Sequence, residues 1–595
     1  MSCPRRALRR AAAGALAALA LGACTGGDGS SQPGSGLASG SSGFNAAITS
    51  IVNPSDRTGG TLRLGAVGDC DSYDGANMYL GFCWDLSRLY LRTLMTYHAK
   101  PGPIETVPDL ASAPGQHNAD STIWTYHLKP GVRWQDGTPV TSADVKYGIE
   151  RLYATDVFAT GAGFYYTCLL DTCDAAGTPT YKGPYRDPTG DLSTIETPDA
   201  TTVVFHLNAA TPSFDYLMSL PTTAPVKRSA DTGKSYTDHV LADGPFKFAS
   251  YLPDKSVTWV RNDQWDPKTD DVRHPKVDSV TMTIFASPDD VDARLKAGDI
   301  DLEADGGVQA TFETQILADP KLRNYADNPT TGHTRILVVF QTVAPLTNVY
   351  CRRAIFYAIN KHDLQLARGG TSAGTIATSF GPPGIPGSQK PQDYDPYPVG
   401  GTSTGDVAKA KTELTKCGQP DGFALNMAYI PGGAADKVLA ATQAALARVN
   451  ITVKPLPGEA SSYYSTLIGS PTSVAERRIG LAVAAWGPDF PTVQGEYQSI
   501  ASGKAIKASG TLNFASLNDP TVNAAIDRAA QTTDPKELEQ LGETIDHGIM
   551  DAAVYLPFLW DSNFLFRNPR LTNIYLSPGT SFFYDYVNIG VVDGK

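Results

Sequence analysis

The chain has 595 residues, of which 42% are hydrophobic and 18% are charged, and its formal net charge is −12 at pH 7. This length exceeds what one hydrophobic core serves, so we expect two or three lobes, and the composition excludes a chain that is disordered throughout. The acidic charge is spread along the sequence without a basic patch, which excludes nucleic acid as a partner.

The first residues predict an export signal that ends at a lipid attachment site. Four arginines between residues 5 and 10 precede an apolar run over residues 11–23. Such a run spans about 20 Å of helix, short of the ~30 Å hydrocarbon core, so residues 1–23 are predicted to be a signal peptide. The run ends in LGAC, which resembles a bacterial lipobox, and Cys24 is the predicted lipid carrier. An ordinary signal peptide with a chance cysteine is the alternative, and export by the Sec or the twin-arginine route stays open.

The next segment is predicted to join the lipid to the folded body. Residues 24–58 form this anchor and tether, because residues 26–43 are rich in glycine and serine. No later segment reaches 18 uninterrupted apolar residues. We therefore expect the mature protein at the extracellular face of the cell membrane, the equivalent of a periplasmic space, held by its lipid.

Six cysteines lie beyond the exported segment, and an even number in an exported chain favours disulfides over zinc. The candidates are Cys70, Cys83, Cys168, Cys173, Cys351 and Cys417. The sequence-local pairs 70–83 and 168–173 are the simplest of the fifteen pairings, and they leave 351–417. Buried free thiols are the alternative.

The body of the chain alternates strand patterns with helix patterns. Strands are predicted at 59–65, 124–128, 203–207, 257–259 and 280–284, and helices at 406–416 and 522–530. Thr141 is positioned to cap a further helix, on which Val145 and Ile149 share an apolar face. This interleaving favours α/β lobes over a sandwich or a helical bundle.

Six sequence blocks carry the most specific information. They are WTYHLKPGVRWQDGTPVTSADVK from Trp124, DGPFKF from Asp243, LKAGDID from Leu295, RRAIFYAINK from Arg352, AWGPDF from Ala485 and PTVNAAID from Pro520. In sequence and in order they resemble the family 5 extracellular solute-binding proteins, the oligopeptide and dipeptide binders of bacterial ABC importers. One block would be weak evidence, whereas six in the family's order are strong.

The resemblance implies an α/β, periplasmic-binding-protein-like fold with two hinged lobes and an additional domain inserted in the first lobe. Lobe one would comprise residues 59–97, 242–332 and 556–595, the inserted domain residues 98–241, and lobe two residues 333–555. It further implies a monomer without a cofactor, which captures a peptide between its lobes and presents it to ABC permease and ATPase subunits.

Asp489 is the first candidate for ligand binding. Residues 481–485 are apolar and strand-like, so the turn that follows should place Asp489 at a strand end facing the cleft. The resemblance implies that this carboxylate holds the ligand's α-ammonium group through a charge-assisted bond, and that Trp486 supplies an apolar wall. The alternative is a solvated Asp489, or one that caps Thr492, with Trp486 in the core. After Phe490 the residues 491–493 depart from the relatives' acidic-proline step, which leaves the ligand class open.

Other functions stay open at this point. The family is broad, so an oligosaccharide or another amphipathic solute is the nearest alternative, and a signalling receptor without transport is another. Ser372 lies in a GxSxG match, but residues 352–366 before it are helix-like, whereas the nucleophile elbow of a secreted serine hydrolase needs a strand there. The acids from Asp301 imitate a calcium loop whose twelfth position is Phe312. We therefore expect no enzyme activity and no metal.

Overall fold

The computed structural model describes residues 43–593 except 103, 175–176, 188–189, 389–393, 398–404, 460–461, 578 and 580–582. The predicted signal peptide, Cys24 and most of the predicted tether therefore lie outside the described residues. Within the described part of the chain, no helix has the length and apolar character needed to cross a bilayer.

The first lobe is built on a mixed sheet. In spatial order its strands are Leu302–Glu303, Thr61–Ala66, Ser279–Ile284, Ser256–Arg261 and Phe246–Leu252. The strand 61–66 is parallel to both of its neighbours, whereas 256–261 is antiparallel to both of its own. Leu62 and Leu64 are buried in the core of this lobe, as the alternation of the first predicted strand requires.

The inserted segment has an antiparallel sheet and a hydrophobic core of its own. Its strands lie in the order Gln116–His117, Ile123–His127, Thr202–His206 and Ile195–Asp199. The predicted helix is present as Ser142–Glu150, with Val145 and Ile149 fully buried. It starts at a capping box, in which Thr141 donates its backbone N–H and its hydroxyl to Asp144, each at 2.8 Å.

The second lobe is built on another mixed sheet, whose middle strands are antiparallel. In spatial order its strands are Gly374–Thr375, Tyr555–Ser562, Thr330–Val339, Ile479–Trp486, Ala424–Tyr429 and Thr452–Pro457. The predicted boundary at residue 556 falls inside the strand 555–562, which pairs with 330–339 and so belongs to the second lobe. The boundary was wrong because this strand is buried along nearly all its length, and burial alone does not tell which sheet it joins.

The remaining elements cover these sheets and connect them. The α-helices are Ala46–Thr49, Gly81–Ser87, Ser142–Glu150, Phe214–Leu217, Pro288–Ala297, Ala310–Ala318, Pro320–Arg323, Val349–Ala358, Lys361–Arg368, Val407–Lys416, Gly433–Ala447, Pro471–Glu476, Val493–Ala501, Pro520–Ala529 and Pro535–Ala552. Short antiparallel pairs join Met95–Tyr97 to Thr106–Pro108, Ala326–Asp327 to Leu565–Phe566, Leu571–Thr572 to Gly590–Val591, and Leu576–Ser577 to Phe583–Tyr584. Helices are thus present at both helical patterns read from the sequence, 406–416 and 522–530.

The hinge is the place where the chain passes from one lobe to the other, near residues 327–331 and again near 561–565. On the first-lobe side these passages pair as the strands 326–327 and 565–566. Closer to the second lobe, the N–H of Asn563 donates to the carbonyl of Pro329 at 3.1 Å. The hinge is therefore a pair of antiparallel segments, a geometry that permits one lobe to rotate on the other.

The body begins earlier than residue 59, so the predicted tether is too long at its C-terminal end. Ala47 is fully buried in the first lobe and donates its N–H to Asp327 at 3.1 Å. Val52 is also buried and pairs with Ile574 in an isolated bridge. The physical reason is that the apolar residues after the Gly/Ser-rich stretch have a surface of the first lobe to cover.

Cysteines pair within each of the three parts of the body. Cys70 bonds to Cys83, Cys168 to Cys173 and Cys351 to Cys417, with Cα–Cα distances of 5.6, 5.4 and 5.3 Å. These distances lie in the range that disulfides require. The first bond lies in lobe one, the second in the inserted domain and the third in lobe two, so none of them restrains the hinge.

Candidate binding site between the lobes

A cavity of about 170 Å³ lies between the lobes. On one side it is lined by residues of 81–97 from the first lobe and 219–221 from the inserted domain. On the other side it is lined by residues 382–385 and 488–491 of the second lobe, and by residues 331–333, at the hinge end of the strand Thr330–Val339. A ligand in this space would contact both lobes and the hinge together.

Asp489 lies on the second-lobe wall of this cavity. It follows the strand Ile479–Trp486 after a Gly-Pro turn, so it stands at a strand end that faces the cleft, as the sequence predicts. The hydroxyl of Tyr79 donates to its two carboxylate oxygens at 2.8 and 3.0 Å. The hydroxyl of Tyr165 donates to Oδ2 at 2.7 Å. Because Tyr79 belongs to the first lobe and Tyr165 to the inserted domain, Asp489 joins the two sides of the cleft.

The charge of Asp489 has no cationic partner in the described part of the chain, since its carboxylate is bonded only by hydroxyl groups. Burial raises the pKa of Asp489 to about 6, and hydrogen bonds from Tyr165, Tyr79 and Ser499 oppose that rise. Burial also raises the pKa of both tyrosines well above the usual value, and the negative charge of Asp489 raises it further. A carboxylate in this state gains most from a cation that is brought in from outside.

Trp486 occupies a different place from Asp489. Its side chain is only 5% exposed and packs in the core of the second lobe. Its indole N–H donates to the carbonyl of Glu496 at 2.6 Å. The described residues that line the cavity do not include Trp486. In this structure its role is therefore to fix the helix that follows Asp489 against the strand that precedes it.

Phe490, unlike Trp486, is among the described residues that line the cavity. It lines the cavity but is only 2% exposed, because its ring enters the core of the inserted domain. There it stacks on Tyr216 with ring centroids 6.1 Å apart and meets Tyr165 edge-on at 5.4 Å. Phe490 thus anchors the Asp489 loop to the opposite side of the cleft.

The tyrosines of the site are the residues that sequence reasoning missed. Tyr79 and Tyr165 belong to aromatic clusters visible in the sequence, but 27 tyrosines give no basis for choosing between them. Their partner Asp489 is 410 residues from Tyr79 and 324 residues from Tyr165. No local pattern encodes such a contact.

The other motifs have structural explanations. Ser372 lies in a short turn, Gly370–Ala373, that follows the helix Lys361–Arg368, and its hydroxyl donates to the carbonyl of Gly369 at 3.2 Å. This is not the strand–turn–helix geometry of a nucleophile elbow. Asp301 is buried and pairs with Arg63 at 2.8 Å. Among the described residues there is no group of acids, histidines and cysteines able to hold a metal ion.

Comparison with known proteins supports the family resemblance over most of the chain. Residues 105–508 match the family described as bacterial extracellular solute-binding proteins, family 5 middle. The glutathione-binding protein GsiB of Escherichia coli O6:K15:H31 is 24% identical over 486 residues, 78% of this chain and 83% of that protein.

Solved structures agree with this match. The clavulanic acid biosynthesis oligopeptide binding protein 2 is 39% identical, with a TM-score of 0.86 over 93% of this chain and 99% of its own. The periplasmic binding protein DppA of Helicobacter pylori, in complex with the peptide STSA, is 21% identical, with a TM-score of 0.71 over 90% of this chain and 99% of its own. The second likeness is one of fold.

Proposed function

Because the chain belongs to family 5 of the bacterial extracellular solute-binding proteins, we propose that it binds a peptide between its lobes and delivers it to the permease of an ABC importer. The family consists of binding proteins rather than enzymes, so the chain's own contribution is recognition and closure. The observation that carries the peptide proposal is Asp489, a carboxylate on the cavity wall that no cation among the described residues balances.

An α-ammonium group suits the place that Asp489 offers. It brings a full positive charge and three N–H donors. Each tyrosine hydroxyl that bonds Asp489 is uncharged and has a single O–H donor. Tyr79 and Tyr165 belong to the opposite side of the cleft, so they can bond Asp489 only when the lobes are together. A ligand ammonium held on the same carboxylate would therefore stabilise the closed form.

The relatives' names support a peptide ligand. One is named as an oligopeptide-binding protein and another as a glutathione-binding protein, and the structure of a third contains a peptide. The oligosaccharide alternative is less well supported, because a neutral sugar would leave the charge of Asp489 unbalanced in a buried position.

We propose further that the protein acts as a monomer at the extracellular face of the membrane, where a lipid on Cys24 holds it. The support for this is the lipobox-like sequence LGAC that ends at Cys24. A Cys24→Ser variant is expected to leave the membrane fraction and appear in the medium with its fold intact. Wild-type protein whose N-terminus carries no lipid by mass spectrometry would contradict the anchor.

The peptide proposal is tested by calorimetric titration of the mature protein with trialanine and N-acetyl-trialanine. Acetylation replaces the charged ammonium group with a neutral amide, so the wild type should bind the free peptide about 30-fold or more tightly than the acetylated one. Native mass spectrometry of the freshly purified protein serves as an independent check for a co-purified peptide. Equal affinity for the two probes would overturn the ammonium site at Asp489.

A further inference from the structure

A second carboxyl group of the cavity wall stands without a hydrogen-bond partner among the described residues. Asp85 lies on the helix Gly81–Ser87 of the first lobe and is only 2% exposed. Both of its carboxyl oxygens are buried, and no described group bonds to either of them. A buried polar group left in this state costs about 1–3 kcal/mol, and a charged one costs more. Such a cost points to a function for Asp85.

Asp85 is at the centre of the helix face that lines the cavity. Residues three and four apart in a helix share one face. Gly81, Trp84, Asp85 and Arg88 follow this spacing, and all four line the cavity. The side chain of Asp85 therefore belongs to the wall that the first lobe presents to a ligand, across the cleft from Asp489 of the second lobe.

The cationic side chains of the cavity wall are already engaged. Nε of Arg88 donates to Asp585 at 3.2 Å, and Nη2 of Arg273 donates to Asp109 at 2.8 Å. Burial lowers the pKa of His333, which favours its neutral form. These are the basic residues among the described ones that line the cavity, and they leave its acids without a counter-ion.

Asp85 and Asp489 are the acids among the described lining residues, and each belongs to a different lobe. Burial raises the pKa of Asp85 well above its usual value and the negative charge of Asp585 raises it further, whereas Arg88 lowers it. A cation brought in from outside would stabilise the ionised carboxylate. Each wall of the cleft thus presents one carboxyl group that can gain a positive partner from a ligand.

We propose that the protein prefers peptides that carry an arginine or a lysine, whose basic side chain is received by Asp85 while the α-ammonium group is received by Asp489. This inference rests on the peptide-binding function proposed above and makes its substrate class more specific. A ligand with two positive charges would bond to both lobes and so favour closure.

A basic side chain suits the position of Asp85 for two reasons. Its aliphatic stem can pass along an apolar wall while its charged end reaches a polar group. A guanidinium also presents several N–H donors in one plane, which match the two oxygens of a single carboxylate. Trp84 and Leu91 supply apolar surface on the same wall of the cavity.

The test titrates the full-length mature protein with three pairs of tripeptides. Each peptide has one arginine and two alanines, with the arginine in the first, second or third position, and its partner has citrulline in place of the arginine. Citrulline keeps the shape of the side chain but ends in a neutral urea group. In at least one position the wild type should bind the arginine peptide about 10- to 100-fold more tightly than its partner.

Asp85→Asn removes the charge and keeps the size of the side chain. It should therefore bind each arginine peptide within about threefold of its citrulline partner. It should also keep the preference for an unacetylated amino terminus, because that preference depends on Asp489. If Asp85→Asn fails to fold, Asp85→Ser carries the same comparison.

Asp243→Asn is the matched control. Asp243 is also a buried acid of the first lobe, and its Oδ2 also has no hydrogen-bond partner among the described residues. It is not among the described residues that line the cavity. Its Oδ1 accepts from the N–H of Arg92 at 2.9 Å, a bond that asparagine retains. This variant should keep the wild-type preference for arginine.

The outcomes separate the two proposals. A wild type that discriminates against acetylation but binds every arginine peptide like its citrulline partner would overturn the basic subsite and leave the ammonium site standing. A preference for arginine that is as strong in Asp85→Asn as in Asp243→Asn would overturn the assignment to Asp85. Failure of every free tripeptide to bind would overturn the peptide function and the subsite together.

Discussion

Two groups of charged side chains, one in each lobe, are arranged differently. In the first lobe, Arg92 and the cavity-lining Arg273 share the carboxylates of Asp109 and Asp270, with the shortest contacts at 2.8 Å. All four side chains are at most 2% exposed, and Arg92 also donates to Thr269. We call these four residues the closed cluster. Each of its charges has an opposite charge within the protein.

In the second lobe, Asp489 and the pair Arg335 and Arg368 lack a full set of opposite charges. Asp489 has hydroxyl partners only, and Arg335 and Arg368 have a single carboxylate between them. The difference teaches how to separate structural from functional charge in this fold: a balanced network fixes the backbone, whereas an unbalanced group on a cavity wall is available to a ligand. Each prediction below tests one side of this contrast.

The largest effect is expected in the closed cluster. Asp109→Asn removes one of two carboxylates and leaves a buried guanidinium without its counter-ion, which typically costs about 3–5 kcal/mol of unfolding free energy. Urea unfolding of the variant and the wild type measures the loss. The folded variant should still discriminate trialanine from its acetylated form. A loss below about 1 kcal/mol would show that the cluster behaves like a surface pair.

The complementary change is Asp489→Asn, which should act on binding more than on folding. The ammonium group would be desolvated without its counter-ion, so the binding free energy for trialanine should weaken by about 2–5 kcal/mol. This corresponds to an affinity lower by roughly 30-fold to several-thousand-fold. The unfolding free energy should change by less than about 1 kcal/mol, because no cation inside the protein loses a partner. Calorimetric titration measures the loss of affinity, and urea unfolding measures the change in stability. A change in affinity below about threefold would make Asp489 a structural residue.

A smaller effect follows from the pKa of Asp489. Because the pKa is raised to about 6 in the unliganded site, the carboxylate takes up a proton as the pH falls through that value and then no longer attracts an ammonium group. Affinity for trialanine should therefore fall about tenfold between pH 7 and pH 5, whereas an aspartate of ordinary pKa would give almost no change. Calorimetric titrations at pH 7, 6 and 5 measure how the affinity depends on pH. Asp489→Asn should remove this dependence, and a wild type that is equally flat would contradict it.

Local sequence patterns predicted the elements of the fold well. The alternation of Leu62 and Leu64, the cap at Thr141 and the turn before Asp489 each depend on residues close together in the chain, and the structure has all three. The boundary at 556 and the start of the body at 59 were wrong, because they depend on which distant surface a segment covers. The strand 555–562 and the residues near Ala47 both find their partners more than 200 residues away.

The site was predictable only in part, for the same reason. Asp489 follows a recognisable strand and turn, but its tyrosine partners come from the first lobe and the inserted domain. Trp486 shows that proximity to Asp489 in a motif does not predict a place in the site. It lies three residues from Asp489, yet its side chain shares the buried face of the strand with Ala484. Arg335 and Arg368, which share the carboxylate of Asp561, are 33 residues apart in sequence.

The first described residues have a mechanical consequence. Asn45 donates its N–H to the carbonyl of Ala326 and accepts from the N–H of Asn328, so the start of the body is fastened beside the pivot of the two lobes. A point beside a pivot is displaced least when the arms turn. The segment that precedes Gly43 therefore joins the body at a point that moves little when the lobes open and close. The two lobes can therefore open and close with little displacement of the N-terminal end of the described chain.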